Sequence, residues 1–196
     1  MARPRKASDD EIFEAASRVM QRLGPAEWTL ADIAAEAGLT AGALVQRFGS
    51  KRRLQVALLE RFADAGPDSY RALRAQHRSP LGALRAYAAQ VACLAPSREE
   101  LAHHLDYLRL DLIDTDMHAH FRRHAAAGRQ FIAAVLKEAV ERGDLRKGTN
   151  VARLARLVDA VITGSLFTWA AHQEGKAPAW IRRNLDDLLA AYAPER

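Results

Sequence analysis

Hydroxyl, amide and cationic side chains gather between residues 29 and 51 in a pattern suited to holding a phosphate backbone and reading base edges. Thr29, Thr40 and Ser50 each stand where a helix can begin, so their hydroxyls and the free amides beside them are placed to grip phosphate oxygens. Gln46 and Arg47 could reach base edges or phosphates, and Ala41 or Ala43 could touch a thymine methyl. Thr40, Ala41, Gly42 and Ala43 form a turn of small residues that lets the backbone come close to a partner, and Lys51 adds a cation at the next helix start. Arg3, Arg5 and Lys6 make a basic tip, and Arg47, Lys51, Arg52 and Arg53 a second basic group. Both suit phosphate attraction, although a net charge of +5 fits a patchily charged surface equally well. The partner these residues imply is double-stranded DNA.

Other reactive residue types are weaker guides. His103, His104, His118, His120 and His124 crowd one stretch, and His120 and His124 stand one helical turn apart, but no Cys or acidic residue supplies a third metal ligand at a convincing position. Cys93 is the only cysteine; it cannot form an internal disulfide, and the expected apolar helix around it offers no charge to activate its thiol. The chain has no phosphate-binding glycine loop, no nucleophile elbow and no His-Glu-x-x-His signature, so an enzyme, a cofactor and a metal are not expected.

The elements that must position these residues read as helices throughout, with no convincing alternation of period two. Ser8 and Glu11 form a capping box, Ile12, Phe13, Ala16, Val19, Met20 and Leu23 follow on one face, and Gly24-Pro25 is expected to stop the helix. Thr29 caps a second helix with Trp28 and Ile33 as its hydrophobic staple. Gly38 supplies the left-handed residue that ends it, Thr40 caps a third, and Ser50 a fourth. Ala34 and Gly38 meet the steric demands of a sharp crossing, with Ile33, Ala37, Leu39, Leu44 and Phe48 turned into a small core. Further helices are expected over 51–65, continuing over 68–77 after a break at Gly66-Pro67, then 80–94, 96–112, 114–142, 150–172 and 178–192. No linker separates head from body, so the fourth helix is expected to belong to both and to connect them rigidly.

Ile12-Phe13-Glu14-Ala15-Ala16, Gly24, Thr29-Leu30-Ala31-Asp32-Ile33-Ala34, Ala37-Gly38-Leu39-Thr40, Gly42, Leu44, Phe48 and Ser50-Lys51 to Leu54 together resemble the N-terminal domain of the TetR family of bacterial repressors. The resemblance covers residues 8–55; beyond them the chain shares length and helical character. It implies an all-α homodimer with a helix-turn-helix head that binds a palindromic operator, and a body in which a small molecule weakens that binding. Two positions depart from the family's pattern: a tyrosine is usual at Val45, and a histidine or tyrosine at Arg47. Valine cannot make the tyrosine's phosphate contact, whereas Arg47 could replace it with an ionic one.

The expected division is therefore a DNA-binding domain over 1–53 and a ligand-sensing and dimerisation domain over 54–196. Val151, Leu154, Leu157, Val158, Val161, Ile162, Leu166 and Trp169 give one broad apolar face, and Trp180, Ile181, Leu185, Leu188, Leu189 and Tyr192 another. Such a pair suits a four-helix bundle across a two-fold axis, a homodimer through the last two helices. Candidate contacts for a small apolar or aromatic effector are Tyr87, His104, Tyr107, Asp111, Met117, Phe121 and Trp169, with His104, Tyr107 and Asp111 spaced to share one face. The alternative is a DNA-binding regulator whose body takes a protein partner. Apolar runs such as 131–136 are too short to span a membrane, no secretory signal is evident, and the cytoplasm is the expected location.

Overall fold

The computed structural model describes residues 7–93 and 97–194, so Arg3, Arg5 and Lys6 lie outside the described residues. Among those described there are nine helices and no strand: α1 Asp9–Glu27, α2 Leu30–Glu36, α3 Ala41–Phe48, α4 Lys51–Ala75, α5 Pro80–Ala92, α6 Arg98–Ile113, α7 Thr115–Glu141, α8 Val151–His172 and α9 Ala177–Ala190. The chain forms two compact units. One holds the residues up to Ala63 with Ala102–Arg122; the other holds Asp64–Leu101 and the chain from Arg123 onward. α4, α6 and α7 each contribute residues to both.

In the first unit the helix starts are fixed by side-chain caps. Ser8 Oγ accepts the Glu11 N–H at 3.2 Å while the Glu11 carboxylate takes the Ser8 N–H at 2.8 Å. Thr29 and Asp32 repeat that exchange at the head of α2, and Thr40 Oγ1 accepts the Ala43 N–H at 3.2 Å to open α3. Gly38 at φ 68° turns the chain between α2 and α3. A core of Ile12, Ala16, Val19, Trp28, Ile33, Ala34, Leu44, Leu54 and Leu58 closes beneath the turn, with Phe13 and Phe48 packed against it.

Two expected breaks come out differently. Gly24 does depart from helical geometry, at φ 71° and ψ 173°, yet the chain resumes a helical turn to Glu27. Gly66-Pro67 does not break α4, which runs unbroken past it to Ala75. Proline removes one backbone donor from the helix, but Gly66 sits 3.7 Å (by its would-be Cβ) from both Ala127 and Tyr70, and such packing holds the segment helical. Cys93 is likewise not inside its helix: it is the exposed C-cap of α5.

In the second unit α8 and α9 pack along each other and α5 packs against both. Trp169 Nε1 donates to the Gly175 carbonyl at 3.1 Å, Trp180 Nε1 to Thr168 Oγ1 at 3.0 Å, and Asn184 Nδ2 to Ser165 Oγ at 3.0 Å, which fixes the register of that hairpin. By length and mean hydropathy α8 could cross a membrane, which the short apolar runs did not suggest, because Arg153, Arg156 and Asp159 interrupt the sequence while the helix average stays apolar. Its inward side is core: Leu154, Val158, Ile162 and Leu166 are all buried.

Candidate nucleic-acid interface

α3 stands on the head core by one side only. Leu44 is fully buried and Phe48 meets Phe13 with ring centroids 5.8 Å apart. At about 100° per residue this turns Gly42, Val45, Gln46 and Gly49 outward. Thr40, Ala41, Gly42, Val45, Gln46 and Arg47 are exposed, and Ala43 half-buried. The Thr40 hydroxyl accepts from the backbone, which leaves its proton available to a phosphate oxygen. Thr29 is more committed, since both its N–H and its hydroxyl go to Asp32 Oδ2 at 2.7 Å. These bonds hold the Asp32 carboxyl below its usual range.

The cations around α3 turn out to be tethered. Arg47 Nε lies 2.6 Å from Asp9 Oδ1, and its Nη1 donates to the Ala7 carbonyl at 2.7 Å, so it ties the end of α3 to the start of α1. Lys51 Nζ donates to the Pro25 and Trp28 carbonyls at 2.8 and 2.6 Å and lies 4.3 Å from the centroid of the Trp28 ring. Burial lowers its pKa. Arg52 bridges Asp114 and Asp116 at 2.8 Å, and these carboxylates hold it more firmly charged. The Arg53 guanidinium, alone of the four, makes no ion pair or hydrogen bond among the described residues, so it is the cation freest to meet a phosphate. Sequence spacing showed the cluster but not its partners, of which Asp114 stands 62 residues from Arg52.

The far end of α1 is held by α6. Pro25 has no N–H, so the Gln21 carbonyl cannot find its usual helical donor. His103 Nδ1 lies 3.3 Å from that carbonyl, and the Tyr107 hydroxyl donates to the Met20 carbonyl at 3.4 Å. The His103 ring lies directly over Gly24, where a methyl group would come within 2.7 Å of Cδ2.

The expected effector contacts divide between the two units. His104, Tyr107, Asp111, Met117 and Phe121 fall in the first, Tyr87 and Trp169 in the second. His104, Tyr107 and Asp111 do share α6 and are all half-buried. Burial lowers the His104 pKa, raises that of Tyr107 and lifts the Asp111 carboxyl to about 6. Met117 is buried, its N–H capped by Asp114 Oδ1 at 3.2 Å. In the second unit Tyr87 joins a ring cluster that sequence reading left incomplete. Tyr70 stacks on Phe131 at 5.3 Å between centroids and meets Tyr87 edge-on at 5.6 Å. Beside it a groove of about 460 Å³ runs between α4 and α7, floored by Tyr70, Phe131, Ala134 and Val135 and rimmed by Arg71, Arg74 and Glu138. Gln130 also lines it. The turn-by-turn spacing of Tyr70 with Arg74 and of Phe131 with Val135 was the signal available for these residues.

Asp111 yields a pH prediction. A carboxyl lifted from an ordinary 3.8 to about 6 keeps its proton in the folded chain where the unfolded chain has lost it, so acidification from pH 6 toward 4 adds stability through this group. His104 works in the opposite sense, costing stability as pH falls below its ordinary 6.5. Asp111→Asn should raise the melting temperature near neutral pH by about 2–4 °C, the response to about 1 kcal/mol in a chain of this size. Mild acidification should then only destabilise the variant. A variant that melts lower than the parent at neutral pH would contradict this account.

The head's geometry has counterparts among known proteins. A profile described as bacterial regulatory proteins of the tetR family matches residues 12–58, and one described as the tetracyclin repressor-like C-terminal domain matches residues 110–185. The two take in more than half of the chain, head and body alike. The chain belongs to the TetR family. TetR-family relatives include a probable HTH-type transcriptional regulator, ArpR of Pseudomonas putida, 29% identical over 91% of this chain and 90% of its own length. The HTH-type transcriptional regulator TtgR, also of Pseudomonas putida, is 28% identical with the same coverage. Among solved structures, SmeT, the repressor of the Stenotrophomonas maltophilia multidrug efflux pump SmeDEF, is 26% identical and covers 95% of this chain and 91% of its own, with a TM-score of 0.65. As a TetR-family member the chain is a DNA-binding transcriptional regulator, of a kind that is typically ligand-responsive, and not an enzyme.

Proposed function

We propose that the protein is a repressor that binds a palindromic operator as a homodimer and is released by a small apolar or aromatic effector, acting in the cytoplasm. The observation that carries this reading is the bare outward face of α3, projected by Gly38 and covered by nothing in its own unit. SmeT, which matches nearly the whole chain, is a repressor, and we take the same sense of action here. Residues 1–53 serve as the DNA-binding domain and 54–196 as the sensing and dimerising domain. Thr40, Ala41, Gly42, Ala43 and Gln46 face the major groove, Thr29 supports α2, and Arg3, Arg5 and Lys6 follow the backbone. Arg47 and Lys51 meet phosphates only if their internal bonds exchange; as they stand they hold the head's shape.

Leu157 and Phe167 leave apolar surface on α8 at 37% and 45% exposure, and a second copy would cover it. The ring-floored groove beside Tyr87 favours a small effector over a protein partner, since flat rings and a few charges suit a planar apolar molecule. His104, Tyr107, Asp111, Met117, Phe121 and Trp169 remain candidate contacts or relays of that signal.

Selection from a random duplex library with the full-length protein should recover inverted half-sites about one helical turn apart, and light scattering should give twice the chain mass. Recovery of no preferred sequence, or a monomer on DNA, would overturn the reading. Asp9→Asn offers a second check: it frees Arg47 and removes a nearby negative charge. Operator affinity should rise, and log K against log salt should steepen by roughly 0.9 for each protomer that gains a phosphate contact. An unchanged slope would show that Arg47 stays away from the backbone.

A further inference from the structure

We propose that Val45 reads the C5-methyl group of a thymine in the major groove, so that each half-site contains one pyrimidine recognised by its methyl alone. The proposal deepens the DNA-binding reading and rests on it. Val45 is 48% exposed in the middle of α3, between the buried Leu44 and the outward Gln46. A single exposed valine is ordinary in a protein surface. What singles this one out is its collar.

On a helix the surface neighbours of a residue lie three and four positions away. For Val45 these are Ala41, Gly42 and Gly49, with Phe48 turned to the core beside Phe13. A Cβ placed on Gly42 would meet only Thr40 Oγ1, 4.0 Å away, so the surface on that side is open. On the Gly42 side the two valine methyls therefore stand above bare backbone, while on the Gly49 side the Arg53 side chain comes within 3.3 Å of where a Cβ would sit. Valine in a helix holds one side-chain rotamer, so the methyls are already fixed when they meet a partner.

The polar chemistry that the side chains of α3 itself add to this face is spare. Arg47 is held by Asp9 and the Ala7 carbonyl, which removes the guanidinium that would read guanine from this helix. Gln46 remains, and a side-chain amide matches the paired acceptor and donor of adenine. Val45 and Gln46 together suit A·T pairs, the amide on adenine and the methyls against thymine. In the major groove the thymine methyl is the one apolar feature of a base edge, and it is what an apolar side chain can discriminate.

The test needs no knowledge of the operator beforehand. After selection with the full-length protein, each thymine of the recovered site is replaced in turn by deoxyuridine, which keeps every pairing group and deletes the methyl. For the parent protein, one symmetry-related pair of thymines should each cost about fourfold in affinity, the worth of one buried methyl. Val45→Ala, which changes both protomers, should bind the thymine site about sixteenfold more weakly, as weakly as the parent binds the site with both thymines of the pair replaced, and should lose nothing further on uracil substitution there. Gln46→Ala should keep the uracil effect intact while losing discrimination at an adenine. Because Val45 is exposed, the melting temperature of the alanine variant should match the parent's, which separates reading from folding. Indifference of the parent to uracil at every position, or full uracil sensitivity in Val45→Ala, overturns the proposal. If no specific site is recovered at all, the regulator reading fails first and takes this one with it.

Discussion

Gly24→Ala is expected to lower the melting temperature by roughly 10 °C and to weaken operator binding. Two independent costs meet at this position. Its backbone, at φ 71° and ψ 173°, occupies a region that only glycine enters freely, which costs an alanine roughly 1–3 kcal/mol. A methyl group would also come within 2.7 Å of His103 Cδ2 and 2.9 Å of Cγ, and forcing a ring out of a packed contact costs about another 1–3 kcal/mol. In a chain of this length each kcal/mol moves the melting point by about 2–4 °C. Calorimetry of the single variants and of Gly24→Ala with His103→Ala separates the two costs. The double variant should recover the steric part and retain the backbone part. A single variant melting within a degree of the parent would show that the end of α1 adapts freely.

Lys51→Ala should have the second large effect, through the shape of the head. Its ammonium links the start of α4 to two carbonyls, those of Pro25 and Trp28, at 2.8 and 2.6 Å, and covers the Trp28 ring. Hydrogen bonds to a charged group are worth about 1.5–3 kcal/mol and a cation over an aromatic face about 0.5–1. Their loss also leaves half-buried carbonyls without a donor. We expect a fall in operator affinity of tenfold or more alongside a lower melting temperature. Lys51→Arg should not rescue it, because a planar fork cannot aim two donors from one point as an ammonium does. Salt titration identifies the cause. An unchanged slope of log K against log salt marks Lys51 as a positioning residue, whereas a slope shallower by about 0.9 for each protomer would make it a phosphate contact.

The sequence revealed what local chemistry controls. Ser8 with Glu11, Thr29 with its helix and Thr40 announce helix starts because a cap and its amides lie within three residues of each other. Gly38 announces the turn because few other residues accept its φ. Long-range partners carry no such mark. Nothing near Arg47 indicates that Asp9 will neutralise it, nothing near Arg52 points to Asp114, and Lys51 reads as a free cation until its carbonyl partners are seen. The same blindness hid the groove, whose floor pairs Tyr70 with Phe131 from a different helix. Gly66-Pro67 misled in the other direction. Local propensity marks it as a break, and packing of Gly66 against Ala127 and Tyr70 accounts for its survival inside α4.

The carbonyls of Met20 and Gln21 are served by Tyr107 and His103, residues more than eighty positions downstream. A recognition module cut out at the end of the helix-turn-helix would therefore carry a frayed seam, two carbonyls of its first helix having lost the side-chain donors that serve them. Exchanging such modules between regulators, to aim an old sensor at a new promoter, should succeed when the transplanted piece brings the matching stretch of α6 along, and should give poorly folded hybrids when it does not.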